Sequence, residues 1–329
     1  MCTSLSWRNG GHYFGRNLDL ECDFGQQVVV TPRRFPLRWR MGDGLAEHRA
    51  LIGMAAVRSD TPLYADAANE AGLCMAGLNF PGYAHYAEPA DDDRAPIASW
   101  ELPLWLLSQC DTVEDALALL DRTQIVRMPF DEHTPLTPLH WHLADAVRSV
   151  VLECMADGLH VHEDPFGVLT NSPPFDFHRQ NLCQYMQLSS RWPENRLAPH
   201  LPLKPAGCGQ GGFGLPGDAS PASRFVRGAF LLANSVCAAD APACVAHFFH
   251  LLDAVAMTKG SVQTESGRWE YTRYSCCIDA SRGVYYFRTY EDPRLAAVAL
   301  QPEGDALRCY PVEHAPDVRW INKTQEPPA

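Results

Sequence analysis

The chain has 329 residues, 46% hydrophobic and 20% charged, which is the composition of an ordinary globular protein with enough apolar material for a large core. Its 27 basic and 39 acidic residues give a net charge of −12, which argues against a nucleic-acid or anionic-membrane partner, since either needs clustered Lys and Arg. No window reaches the ~18 apolar residues of a membrane span and no apolar run follows the start, so the expected setting is cytoplasmic, without membrane contact.

In chain order, Ser4 to Trp7 reads as a strand, Asn9-Gly10 as a two-residue turn, and His12 to Asp19 as the returning strand. Gln27 to Thr31 is a third strand candidate. Trp100 to Leu107 is apolar on too many sides for a surface strand and suits a buried helix. A second helix is expected from Asp111, with Glu114 completing a capping box and Val113, Ala116, Leu117 and Leu120 at helical spacing. Leu139 to Leu143 and Ser149 to Cys154 predict another hairpin, followed by short strands at His160 to His162 and Val168 to Thr170. Pro193 to Pro221, rich in Pro and Gly, reads as a long loop. Ala222 to Asn234 and Pro242 to Ala256 are helical, and Tyr274 to Asp279 with Gly283 to Thr289 form a last hairpin. Helices in blocks between strand-rich stretches, without βαβ alternation, predict an α+β layered fold in one domain over 1–329.

Most apparent motifs reduce to ordinary structure. Gly207-x-Gly209-x-x-Gly212 lacks the preceding strand and following helix of a dinucleotide site. His140-x-His142, His160-x-His162 and His247-x-x-His250 read as core histidines, and the scattered cysteines, with no CxxC, as reduced thiols. No metal site is expected.

The N-terminus is different. Cys2 is small enough for routine removal of Met1, which leaves a thiol and a free α-amine on one residue. That amine ordinarily titrates at about 7.7–8.0, so near neutrality part of it is free to take the thiol proton. Nucleophile and base then sit on one residue. Phe14-Gly15-Arg16-Asn17-Leu18-Asp19 supplies a cation and a carboxylate nearby, although on its own this reads more readily as an ordinary strand-end ion pair.

The start Met1-Cys2-Thr3, the FGRNLD run, Asn69 to Leu73 leading to Asn79-Phe80-Pro81-Gly82-Tyr83, Val168 to Pro173, and Gly214 to Asp218 with Ser223 to Arg227 resemble the choloylglycine hydrolase family. These segments occur in the family's order over nearly the whole chain. The resemblance implies an N-terminal nucleophile hydrolase with a four-layer αββα sandwich, often a homotetramer, acting on a small-molecule amide without cofactor. It implies Cys2 as nucleophile and base, Arg16 and Asp19 as groups that tune and orient it, Asn79 and Asn171 as stabilisers of the oxyanion and the amino group, and Arg224 as part of the polar site. Asn79 in its NFPGY setting is similar to bile salt hydrolases; a penicillin V acylase or an N-acyl homoserine lactone acylase would use the same site. Leu18, Phe130 and Leu139 are the expected apolar wall for the acyl group. Arg58 stands where an apolar pocket residue is expected by analogy, and the Gly-rich stretch before Leu215 is shorter than in familiar members.

Overall fold

The computed structural model describes residues 1–90, 93–132 and 134–312. The chain opens with a hairpin of β1 (Cys2–Arg8) and β2 (His12–Leu20). Because Arg8 pairs with His12, the connection is three residues, with Gly10 at φ 65, one longer than Asn9-Gly10 suggests. Next come β3 (Gln26–Thr31), β4 (Leu51–Arg58), β5 (Thr61–Asn69), β6 (Cys74–Asn79) and the short β7 (Ala95–Ala98). Helices α1 (Leu102–Gln109) and α2 (Val113–Leu120) precede β8 (Thr123–Val126), β9 (Leu139–Ala144), β10 (Ser149–Met155), β11 (Gly158–Glu163) and β12 (Val168–Leu169). Helices α3 (Phe175–Leu182), α4 (Pro221–Ala233) and α5 (Ala241–Asp253) lead to β13 (Val262–Gln263), β14 (Trp269–Asp279), β15 (Val284–Thr289), β16 (Ala296–Ala299) and β17 (Arg308–Pro311).

These strands form two large sheets. The first runs β12-β1-β2-β14-β15-β16, with β13 on β14; the second runs β11-β10-β9-β6-β5-β4-β3-β17. Their facing sides enclose one apolar core, to which Phe14, Val28, Val30, Ile52, Ala76, Val151 and Ile278 contribute. The outer side of the second sheet packs Val29, Ala55, Met75, Trp141 and Leu152 under α1 and α2. On the outer side of the first sheet, α5 covers β2 and β14, and α4 covers β1 and β12. The result is an αββα sandwich. Sequence alternation fails in β3, β4 and β6 because both faces are buried, which makes the runs continuously apolar.

Two local features hold the layers in register. Gly15 lies where β2 passes β14 so closely that a Cβ would stand 2.0 Å from the Cys276 carbonyl oxygen. The α2 cap is one residue later than Asp111-x-x-Glu114 suggests: Thr112 accepts from Asp115 N–H, and the Asp115 carboxylate accepts from Thr112 N–H in return. The segment between α3 and α4 holds only two short 3₁₀ turns, at Cys183–Tyr185 and Gln210–Gly212, so the three glycines there belong to a loop.

Candidate functional site

Cys2 begins β1, and the β1–β2 register sets Cys2 opposite Leu18 and Ser4 opposite Arg16. Alternation therefore turns Cys2, Leu18, Ser4 and Arg16 toward the second sheet. There the buried Arg16 Nη1 donates to the carbonyls of Ala65 (3.0 Å) and Gly77 (2.6 Å). Its Nε and Nη2 have no partner among the described residues. Thr3, Asn17 and Asp19 face the helices. The Thr3 hydroxyl meets Arg224 at 2.6 Å, and Asn17 Nδ2 donates to Leu252 O at 2.8 Å.

Asn171, just beyond β12, ties the site together. Its Oδ1 accepts from Cys2 N–H at 2.7 Å and from Arg224 Nη2 at 2.8 Å, while its Nδ2 donates to the Asn79 carbonyl at 2.7 Å. Arg224, rising from α4, also donates to the Cys2 carbonyl through Nη1 and to Ala219 O through Nε at 2.9 Å. Cys2 is thus gripped at its N–H and its C=O, with one buried guanidinium on each side of the strand.

Asp19 is fully buried. Its Oδ1 accepts from the Thr272 hydroxyl at 2.6 Å, and Oδ2 has no partner among the described residues. Burial raises its carboxyl above the usual range, opposed by Arg224, the N-terminal ammonium and the Thr272 hydrogen bond. Met1 is present, and its ammonium donates to the Asp19 carbonyl at 2.8 Å and pairs with Glu270. Burial holds this ammonium below its ordinary value, against the pull of Cys2 and Asp19 and with the help of Arg224 and Arg16.

The structure therefore gathers Cys2, Arg16, Asp19, Asn79, Asn171 and Arg224 around one strand end. Phe80 N–H bonds Pro138 O just before β9, so strand alternation directs the Asn79 N–H toward the other edge of β6, where pairing with β5 has ended at Ala76. Among the proposed wall residues, Leu18 is buried opposite Cys2, and Leu139 lies opposite Asn79 on β9. A depression of about 510 Å³ bounded by His85, Tyr86, Leu136 and Pro138 neighbours Leu139 without reaching Cys2. Phe130 packs edge-on against Trp100 at 5.0 Å, and Arg58 is exposed with its guanidinium on Phe24 O at 3.2 Å; neither touches the cluster. Sequence reasoning missed Thr3, Thr272 and Glu270, of which only Thr3 lay beside a recognised residue. Among the described residues no group of three or more His, Cys, Asp or Glu is placed to hold a metal ion.

A family model for linear amide C–N hydrolases of the choloylglycine hydrolase family matches residues 2–307. The chain belongs to the choloylglycine hydrolase family. It is a linear-amide C–N hydrolase. Among curated family members it is 43% identical over 303 residues to a bile salt hydrolase/transferase of Lactiplantibacillus plantarum, covering 92% of this chain and 93% of the relative. It is 36% identical to a bile salt hydrolase/transferase of Clostridium perfringens, covering 98% of this chain and all of that one. A mutant conjugated bile acid hydrolase from Clostridium perfringens superposes with a TM-score of 0.90 at 35% identity over 98% of this chain and 100% of that one. A penicillin V acylase from Agrobacterium tumefaciens shares the fold, with a TM-score of 0.74 at 21% identity, covering 94% and 90% of the two chains.

Proposed function

We propose that this enzyme hydrolyses the amide of glycine- or taurine-conjugated bile salts, with Cys2 as N-terminal nucleophile after loss of Met1. The observation that carries the chemistry is the double grip on Cys2, with Asn171 on its nitrogen and Arg224 on its carbonyl. Once Met1 leaves, that nitrogen becomes the α-amine. It takes the thiol proton, sulfur attacks the amide carbon, and the carbonyl oxygen becomes an oxyanion. Collapse of the adduct breaks the C–N bond, and the ammonium returns its proton to the departing amine. Water then attacks the thioester with the amine again as base, releasing the acid. Asp19 Oδ2 is the buried acceptor that fits the free amine, and the unpartnered Arg16 nitrogens suit a thiolate. The Asn79 and Asn171 region supports the oxyanion, where one positioned donor is typically worth about 10²–10³ in rate.

Support for the substrate class comes from relatives named as acting on bile salts over nearly the full length of this chain. Leu18 and Leu139 beside the cluster suit an apolar acyl group. We further propose a cytoplasmic homo-oligomer whose residues 1–329 act as one unit. The test is kcat/KM for glycocholate, taurocholate and penicillin V in one buffer. The conjugated bile salts should be preferred; a higher value for penicillin V would overturn the substrate assignment and leave the amidase assignment intact.

A further inference from the structure

His140 on β9 is fully buried between the sheets, and both of its ring nitrogens face oxygen. Nε2 lies 2.9 Å from the Thr170 carbonyl oxygen, and Nδ1 lies 3.1 Å from Oε1 of the buried Glu153 on β10. A carbonyl oxygen only accepts, so Nε2 carries a proton. Glu153 Oε1 also receives the Phe175 N–H at 3.0 Å, and Oε2 lies 3.4 Å from His162 Nε2. Burial pushes the Glu153 carboxyl up, but the neighbouring His140 and His162 outweigh it and hold the group at about 2.

The same ring touches both chain segments that bear the site's asparagines. It stacks flat on Phe80, the residue after Asn79, with centroids 4.2 Å apart and planes 6° apart. Its Nε2 holds the carbonyl of Thr170, the residue before Asn171. The next carbonyl, that of Asn171 itself, is held by His178 Nε2 at 2.8 Å. Other charged or titratable groups around this pair are His162 and His160 on β11, Asp176, His178 and Arg179 on α3, Arg224 on α4, and His142 on β9 itself.

We propose that His140 is a positioning residue, held between Glu153 and the Thr170 carbonyl, that fixes Asn79 and Asn171 relative to Cys2. It touches neither the thiol nor the amide and acts through the asparagines. The proposal rests on the reading of the Cys2 cluster as the catalytic site.

The first test needs no turnover. In the full chain with ¹⁵N-labelled histidine, the His140 ring, assigned by its disappearance in His140→Gln, should carry a proton on Nε2 hydrogen-bonded to the Thr170 carbonyl. A ring whose Nε2 bears no proton would overturn the proposal. The second test uses His140→Phe with Glu153→Gln, which keeps the aromatic stack and strands no charge. It should lower kcat about 10²-fold with KM little changed, the size expected for an ångström-scale displacement of positioned groups. His140→Gln, whose amide reaches toward Thr170 O, should recover much of that loss. Unchanged kcat in the double variant would overturn the proposal, and should that variant fail to fold, the ring spectrum of the native chain decides. The two readings fail separately. An active Cys2→Ala variant sinks the nucleophile whatever the ring shows, and an Nε2 without its proton, with an inactive Cys2→Ala variant, sinks only the His140 assignment.

Discussion

Two arginines, one aspartate and an asparagine are buried at one strand end, where uncompensated charge is expensive. The arrangement survives because almost every polar atom has a partner, and the exceptions point to chemistry. Asp19 Oδ2 and the Arg16 Nε and Nη2 have no partner among the described residues, and in the proposed reaction they would serve the α-amine and the thiolate. Cys2→Ala should therefore abolish turnover while leaving the fold intact, since it removes the attacking sulfur and little buried surface; ordinary rates in that variant would refute the site. Asn171→Ala removes the acceptor for both Cys2 N–H and Arg224 together with the tether to Asn79. Its kcat should fall about 10²–10³-fold with a smaller change in KM. Stranding those buried groups should also cost about 1–3 kcal/mol on denaturant unfolding. A loss confined to KM would instead make Asn171 a substrate-binding group.

At the scale of elements, the hairpin β1–β2 carries four of the site's side chains, and its position depends on packing as close as that at Gly15. Gly15→Ala would drive a methyl into the Cys276 carbonyl, so β2 must leave β14 or the chain must fail to accumulate folded. Native-like thermal unfolding of that variant would contradict the close approach. The β9–β10–β11 ladder carries the Glu153 carboxylate between His140 and His162. Its folded value, about 2, lies below the ordinary carboxyl value of about 4.3, so it adds stability above that ordinary value. That contribution is lost as pH falls through the folded value. Between these limits, denaturant midpoints of the native chain should drop more steeply with acid than those of Glu153→Gln. Parallel curves would show that the carboxylate gains nothing from its histidines.

Across the whole molecule, two sheets and two helical layers converge on Cys2 from opposite sides, through Arg16 below the strand and Arg224 above it. Met1 fills the space at the strand's end, with its ammonium on Asp19 O and Glu270. A chain carrying a non-removable N-terminal extension should fold and show no turnover. Proteolytic exposure of Cys2 should restore activity, with intact mass confirming the lost residues. Full activity in the extended chain would defeat the N-terminal-nucleophile assignment.

Much of this was legible in the sequence, because it was written locally. The Met1-Cys2 start, the Arg16 and Asp19 pair on one strand, the α2 capping signal and the helical periodicities of α4 and α5 depend on near neighbours. Strands β4, β5 and β6 were not legible: buried on both faces or rich in alanine, they lack the alternation that marks a half-exposed strand. Nor could sequence separate a core histidine from a positioning one. His140 and His142 share a strand and a face, yet one meets a carboxylate and a main-chain carbonyl while the other bridges Ser4 and Ser149. Glu270 and Thr272 likewise join the site from about 250 residues away, through the pairing of β14 with β2. Residue types and near spacings set which chemistry was available. Which buried group meets which was decided by the stacking of the two sheets, because each such contact joins strands that only the folded sandwich brings within hydrogen-bond reach.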